Sequence, residues 1–306
     1  MAHTQAMHAD EFAIDIDLVH SLLAAQHPQS AHLPLRAVTS AGADNALFRL
    51  GETMVVRMPR IAAAAPLIEK EWRHLPSFFA LPLQVPEPLA IGAPGCGFAW
   101  PWSVYRWLEG DPVSTQCVAQ SEPAAQALAG FILALRKIEI RGAPLSGAQN
   151  NGRGVPLGRR NHLTLTAIDT LSDEFDAREI LGAWRACCAA PPWTAQPVWL
   201  HGDIHTGNLL ARDNRITAVI DFGLCGVGDP ACDLMVAWSL FEGNARRSFR
   251  DALGDDEPTW VRGQGWALSV ALIALAYYRA SNQTLSDMSR RAINAVLTDF
   301  REGGGA

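Results

Sequence analysis

Two short apolar strands, Leu209–Ala211 and Ile216–Ile220, are joined by a turn at Asp213-Asn214, and this stretch constrains the chain more than any other. Asparagine and aspartate tolerate the backbone that a tight hairpin needs, so the two strands read as an antiparallel pair. Asn208 then lies just before the first strand and Asp221 just after the second. Both leave the hairpin at the same open end, close enough to share a ligand. Asp203 lies upstream of Asn208, in a polar loop that the apolar strand Val198–Leu200 feeds.

An amide oxygen and a carboxylate at one edge suit a hard cation such as Mg²⁺, which takes few protein ligands and completes its shell with phosphate and water. A separate carboxylate, Asp203, can orient and deprotonate an attacking hydroxyl. Base, cation pair and phosphate cradle are the parts of phosphoryl transfer. A competing reading takes His201, Asp203 and His205 as zinc ligands. It leaves Asn208, the hairpin and Asp221-Phe222-Gly223 unexplained.

The 306 residues suit one large domain or two lobes. Hydrophobic residues make up 49% and charged residues 18%, enough apolar material for a core. The net charge of −6 and the absence of a basic run speak against a nucleic-acid partner. Of six cysteines none forms a Cys-x-x-Cys pair, and Cys187-Cys188 reads as two small apolar residues on a helix. The N-terminus lacks a basic segment followed by an apolar one, and the apolar run Ala267–Tyr278 is too short to span a bilayer. A cytoplasmic chain with reduced thiols, no membrane association and no implied partner protein is therefore expected.

The front third is strand-rich. A helix is expected over 14–26, strands at Leu35–Thr39, Ala46–Leu50, Thr53–Met58 and Ser103–Trp107, and a tight turn at Gly51-Glu52. A helix opens at Pro66 and closes near Pro76. After Gly110 the pattern turns helical, over 122–138, 230–241 and 259–300, with a glycine-rich loop from Gly142 to Gly158. The boundary near Glu109-Gly110 gives expected domains 1–109 and 110–306.

His201-Gly202-Asp203 with Asn208 five residues on, then Ile220-Asp221-Phe222-Gly223 and Gly228-Asp229-Pro230 with Asp233-Leu234, resembles the aminoglycoside/macrolide phosphotransferase family, relatives of choline and homoserine kinases. The resemblance implies an α+β, protein-kinase-like bilobal fold with a strand-rich nucleotide-binding N-lobe and a mainly helical C-lobe. It implies ATP or GTP with Mg²⁺, and a small-molecule hydroxyl acceptor, either an antibiotic or a metabolite such as choline or homoserine. A catalytically silent nucleotide-binding protein on this scaffold is the alternative from another class. By the same resemblance Asp203 matches the catalytic base, Asn208 and Asp221 the metal ligands, and His201 a residue that shapes the loop. Asp229 and Asp233 match an element that braces the catalytic loop, and His205 receives no role.

On the nucleotide side, the turn from Ser40 through Gly42 to Asn45 offers backbone N–H groups as a phosphate cover does. Arg57 lies inside an apolar strand and needs a partner. The family carries a phosphate-gripping basic residue there, paired with a carboxylate on the next helix, and Glu71 is the expected partner ahead of Glu69. The stretch Val104–Gly110 matches the hinge, where adenine would meet backbone groups around Arg106 and Leu108. The acceptor pocket is expected in the helical lobe. There Asp251, Asp255, Asp256 and Glu257 could take a polyamine, though such a run is more often a solvated loop.

Overall fold

The structure, a computed structural model, describes residues 11–39 and 44–303. Its contacts divide into two compact units, one of residues up to Ala80 with Gln84–Glu109, the other of Leu81–Leu83 with Gly110 onward.

The first unit is an antiparallel sheet with two helices. Helix α1 (Ile16–Gln26) starts where the Asp15 carboxylate accepts the Leu18 N–H at 2.8 Å, an N-cap that satisfies an otherwise orphan donor. Strands β1 (Leu35–Val38), β2 (Asn45–Leu50) and β3 (Met54–Pro59), helix α2 (Ala65–His74), and strands β4 (Pro88–Gly92) and β5 (Trp102–Arg106) follow. The sheet order is β1-β2-β3-β5-β4. The β2–β3 connection is Gly51-Glu52-Thr53, one residue longer than the expected turn, with Gly51 at φ 56°. Strand β4 lies in a stretch whose prolines mask it in the sequence. At the sheet edge the missing Pro88 N–H removes no ladder bond.

Register then sorts the side chains. Val56 pairs with Val104 and Arg57 with Ser103. Because side chains alternate along a strand, Val56, Met58, Trp102 and Val104 share one face. They pack with Phe48 and with Val19, Leu22 and Leu23 of α1. Arg57, Ser103 and Tyr105 fall on the other face, which meets α2.

The second unit opens with β6 (Asp111–Pro112), α3 (Thr115–Val118) and α4 (Glu122–Arg136), then α5 (Asn161–Thr170) and α6 (Ala177–Ala189). Strand β7 (Val198–Leu200), the hairpin β8 (Leu209–Arg212) and β9 (Arg215–Val219), and β10 (Gly226–Gly228) come next. Helices α7 (Val236–Ser239), α8 (Gly243–Leu253), α9 (Glu257–Tyr278) and α10 (Gln283–Gly303) complete it. The hairpin turns through Asp213 at φ 52° and Asn214 at φ 59°, the two positive values a type I′ turn requires. Residues 230–241, expected as one helix, are a 3₁₀ turn at Pro230–Met235 followed by the short α7. Helix α9 forms the centre of this unit. Its Trp266, Leu268, Leu272 and Leu275 are fully buried, and it packs on α5, α6 and α10. Among the described residues no helix is long and apolar enough to cross a membrane.

The acidic run at the α8–α9 junction is engaged within the fold. Asp255 pairs with Arg136 at 2.9 Å, Asp256 caps α9 through the Thr259 N–H at 2.9 Å, and Glu257 pairs with Arg250.

Candidate active site

Strand β7 pairs with β10 and delivers the chain into the loop His201–Asn208. The start of that loop is held by one carboxylate. Asp233 accepts the His201 N–H and the Gly202 N–H, both at 2.8 Å. Burial pushes the Asp233 carboxyl above its ordinary value, against the pull of these two backbone bonds.

His201 joins the loop to the hairpin. Its Nδ1 accepts the Asp203 N–H at 3.2 Å. The ring proton is therefore on Nε2, which donates to the Ile220 carbonyl at 3.0 Å. The ring also packs edge-on against Phe222, with centroids 4.5 Å apart. Both ring nitrogens are thus occupied, and His201 has none left for a metal, which removes the zinc reading.

Asn208 and Asp221 do leave the hairpin together. The Asn208 carbonyl accepts the Ile220 N–H at 2.9 Å, one residue before Asp221. The Asn208 Nδ2 donates to the Asp203 carbonyl at 2.9 Å. That bond assigns which end of the amide is the nitrogen. Asp221 has φ 64° and ψ 70°, the left-handed region. A non-glycine residue held there costs about 1–3 kcal/mol, strain that persists only where the surroundings over-determine it.

Asp203 has two side-chain neighbours that the sequence reading did not place. Arg153 Nη2 donates to its Oδ1 at 3.1 Å, and His205 Nε2 lies 3.5 Å from its Oδ2. The His205 Nδ1 accepts the Gly207 N–H at 3.1 Å, so the His205 proton faces the carboxylate. Burial would raise the Asp203 carboxyl. The hydrogen bond from His205 and the Arg153 guanidinium outweigh it and hold the group well below the usual carboxylate range.

Arg153 reaches this position through backbone pairing. The loop that carries it runs along β10: Ser146 N–H donates to Val227 O at 3.0 Å and Asp229 N–H to Gly154 O at 2.9 Å. The approach is close enough to need glycine on both sides. A Cβ on Gly228 would come within 2.4 Å of the Gly154 carbonyl, and one on Gly154 within 2.3 Å of Leu200. The sequence signal was an arginine inside a glycine-rich loop, but nothing local ties it to Asp203.

In the first unit Arg57 meets Glu71. Its Nη1 donates to Glu71 Oε2 at 2.6 Å, with side chains 10% and 1% exposed. Glu69, the second expected partner, is exposed. Tyr105 adds a contact the sequence reading missed, its hydroxyl donating to the same Oε2 at 2.6 Å. Arg106 points outward and pairs with Glu87, while its N–H donates to the Glu87 carbonyl at 2.9 Å. That N–H is engaged within the sheet, so of the backbone groups expected at Arg106 only the carbonyl side is left for a ligand. Leu108 follows in the half-buried segment after β5. Asn45 opens β2 opposite Pro59, and its Oδ1 is buried without a partner among the described residues. Ser40 and Gly42 lie outside the described residues.

The chain thus joins an antiparallel sheet unit to a helical unit that carries Asp203, Asn208 and Asp221 on one loop and hairpin. A profile of the APH family, described as phosphotransferase enzyme family, matches residues 37–266, and the chain belongs to this family. No curated protein matches the sequence. Among solved structures, the GDP and kanamycin complex of APH(2")-IIia is 18% identical, with 92% of this chain and 98% of that chain covered at a TM-score of 0.71. The streptomycin-ATP-APH(2")-IIa ternary complex is 18% identical, with 94% and 97% covered at 0.60. Macrolide 2'-phosphotransferase type I is 19% identical, with 92% and 98% covered at 0.59. At these identities the structures establish a shared fold.

Proposed function

We propose that this chain transfers the terminal phosphoryl group of ATP or GTP to a hydroxyl of a small molecule, with Asp203 as base and Asn208 and Asp221 as Mg²⁺ ligands. The observation that carries the reading is the hydrogen-bonded link from Asp203 through Asn208 to Ile220-Asp221, which gathers an ionised carboxylate, an amide oxygen and a second carboxylate.

The donor set fits a hard cation: one amide oxygen freed by its own N–H bond, and one carboxylate on a strained turn. Bound there, Mg²⁺ would neutralise charge on the nucleotide phosphates. Asp203 orients the acceptor hydroxyl and takes its proton as the new O–P bond forms and the bridging P–O bond to the nucleoside diphosphate breaks. Arg153 and His205 hold that carboxylate ionised and in one rotamer. Arg57, braced by Glu71, grips the nucleotide phosphates.

One neighbouring structure is a complex with GDP and kanamycin, another a ternary complex with streptomycin and ATP, and a macrolide 2'-phosphotransferase shares the fold. Aminoglycosides and macrolides are therefore the first acceptors to try, with hydroxylated metabolites beside them. The direct test incubates purified protein with Mg²⁺ and γ-labelled ATP or GTP against that panel and follows label into the acceptor. Label released only as inorganic phosphate, whatever acceptor is present, would overturn the reading.

The metal pair predicts unequal effects. Asp221→Ala should abolish the Mg²⁺-dependent part of nucleotide affinity, and Asn208→Ala should only weaken it, because Asp221 supplies charge and Asn208 a neutral oxygen. Calorimetric titration of nucleotide with and without Mg²⁺ measures both; an unchanged Mg²⁺-dependent affinity in both variants defeats the assignment.

Arg57 predicts a graded series. Arg57→Lys keeps charge without the planar fork and should retain measurable kcat/KM for ATP. Arg57→Ala should lose much more, and Glu71→Gln should resemble the milder change. If Arg57→Ala matches the wild type, the grip lies elsewhere.

A further inference from the structure

Three buried side chains on one face of the sheet unit carry an inference that rests on the phosphate-gripping reading of Arg57. Glu71, on α2, is 1% exposed. Its Oε2 accepts two donors at 2.6 Å, the Arg57 guanidinium and the Tyr105 hydroxyl. Its Oε1 is buried without a partner among the described residues. The carboxylate is therefore held at one oxygen only, and two hydrogen bonds fix its rotation.

Register explains how the three meet. Arg57 of β3 pairs with Ser103 of β5, and Tyr105 follows two residues on, so Arg57 and Tyr105 are diagonal neighbours on one face. Tyr105 is 3% exposed. Burial, with the negative charge of Glu71 beside it, raises the phenol well above its ordinary value. The phenol stays protonated and can only donate toward the carboxylate. Phosphate recognition by arginine depends on where the planar fork points. A carboxylate free to rotate about its one bond to Arg57 would let that plane swing.

We propose that Tyr105 is a positioning residue for nucleotide recognition: by donating to the Glu71 oxygen that holds Arg57, it fixes the orientation in which the guanidinium meets the triphosphate. Tyr105 touches neither nucleotide nor acceptor in this role and acts through Glu71.

The test is a double-mutant cycle read by ATP affinity, which needs no known acceptor. Wild type, Tyr105→Phe, Arg57→Ala and the double variant are titrated with ATP in Mg²⁺ buffer by calorimetry, and thermal midpoints are recorded for all four. Tyr105→Phe keeps the ring and removes one hydroxyl. The expected result is ATP binding weakened by roughly 3- to 10-fold, the size of one hydrogen bond to a charged group in a partly retained network. In the Arg57→Ala background the same change should weaken ATP binding no further, while the midpoint falls by a similar amount in both backgrounds. Equal weakening in both backgrounds would mean that the hydroxyl only supports the fold, and the inference would be wrong. A weakened Arg57→Ala beside an unaffected Tyr105→Phe overturns the inference and leaves the Arg57 reading standing. An unaffected Arg57→Ala removes the Arg57 reading and, with it, the inference.

Discussion

Asp203→Ala should fold normally and lose turnover by roughly 10²–10⁴-fold, the range for a general base that no other group replaces. Folding should survive because the backbone bonds of the loop do not use the carboxylate. The Asp203 N–H is held by His201 and its carbonyl by Asn208. The start of the loop is held independently by Asp233. The side chain is a quarter exposed and leaves behind Arg153 and His205 when it goes. A thermal midpoint within a few degrees of the wild type is expected. Binding of Mg²⁺-nucleotide should persist, since Asn208 and Asp221 remain. Steady-state turnover on the best acceptor, nucleotide titration and a melting curve together isolate the base. Turnover within a few-fold of wild type would transfer the role to another group.

How much of this was legible in the sequence depended on the range of each interaction. The hairpin could be read because Asp213-Asn214 is local turn chemistry, and its two ends follow from the pairing. The Arg57–Glu71 contact could be anticipated because a charge inside an apolar strand needs a partner, and the family resemblance implies a carboxylate on the next helix. Arg153 could not. It meets Asp203 from 50 residues upstream, through a loop that pairs with β10, and that pairing rests on close backbone approach at Gly154 and Gly228. Tyr105 was hidden for a related reason. Alternation puts it on one of two faces, and only the β3–β5 register says that Arg57 shares that face.

His205 shows a different limit. Its place beside Asp203 follows from the short 3₁₀ turn Thr206–Asn208, where its ring accepts the Gly207 N–H. A histidine capping a turn is unremarkable in a sequence, and the carboxylate it faces is set by the fold of the whole loop. In the run Asp251–Glu257, read as a solvated loop more often than a polyamine site, Asp251, Asp256 and Glu257 are exposed, and what the sequence hid is that Asp256 also caps a helix while Asp255 and Glu257 form ion pairs.

The largest expected effect on stability lies behind the loop His201–Asn208. Asp229 caps the 3₁₀ turn Pro230–Met235 through the Ala231 N–H at 3.0 Å. It also receives Arg262 of α9 in a two-point contact, Nε to Oδ2 at 2.7 Å and Nη2 to Oδ1 at 3.2 Å. Both side chains are 5% exposed. Arg262 donates further to the Pro191 carbonyl at 2.6 Å and to Thr259 Oγ1 at 3.1 Å, so its donors are well matched. Asp229→Ala would leave that guanidinium buried without its counter-charge and remove the cap. Breaking such a pair from one side costs about 3–5 kcal/mol, a large share of the roughly 5–15 kcal/mol that holds a typical domain. A pair of uncharged replacements should cost less, because no charge remains buried: Asp229→Asn with Arg262→Met should be more stable than Asp229→Ala alone. The turn that Asp229 caps carries Asp233, which anchors His201 and Gly202. Loosening it should therefore disorder the loop His201–Asn208 before the whole unit unfolds. The expected observation is a urea midpoint lowered strongly in Asp229→Ala and partly restored in the double variant. Hydrogen exchange at the His201 and Gly202 amides should rise in step, because both amides depend on the carboxylate that this turn presents. Should Asp229→Ala cost under about 1 kcal/mol, the level of an exposed pair, the contact would not be what secures the loop, and the bond to Ala231 would be the only role left to the aspartate.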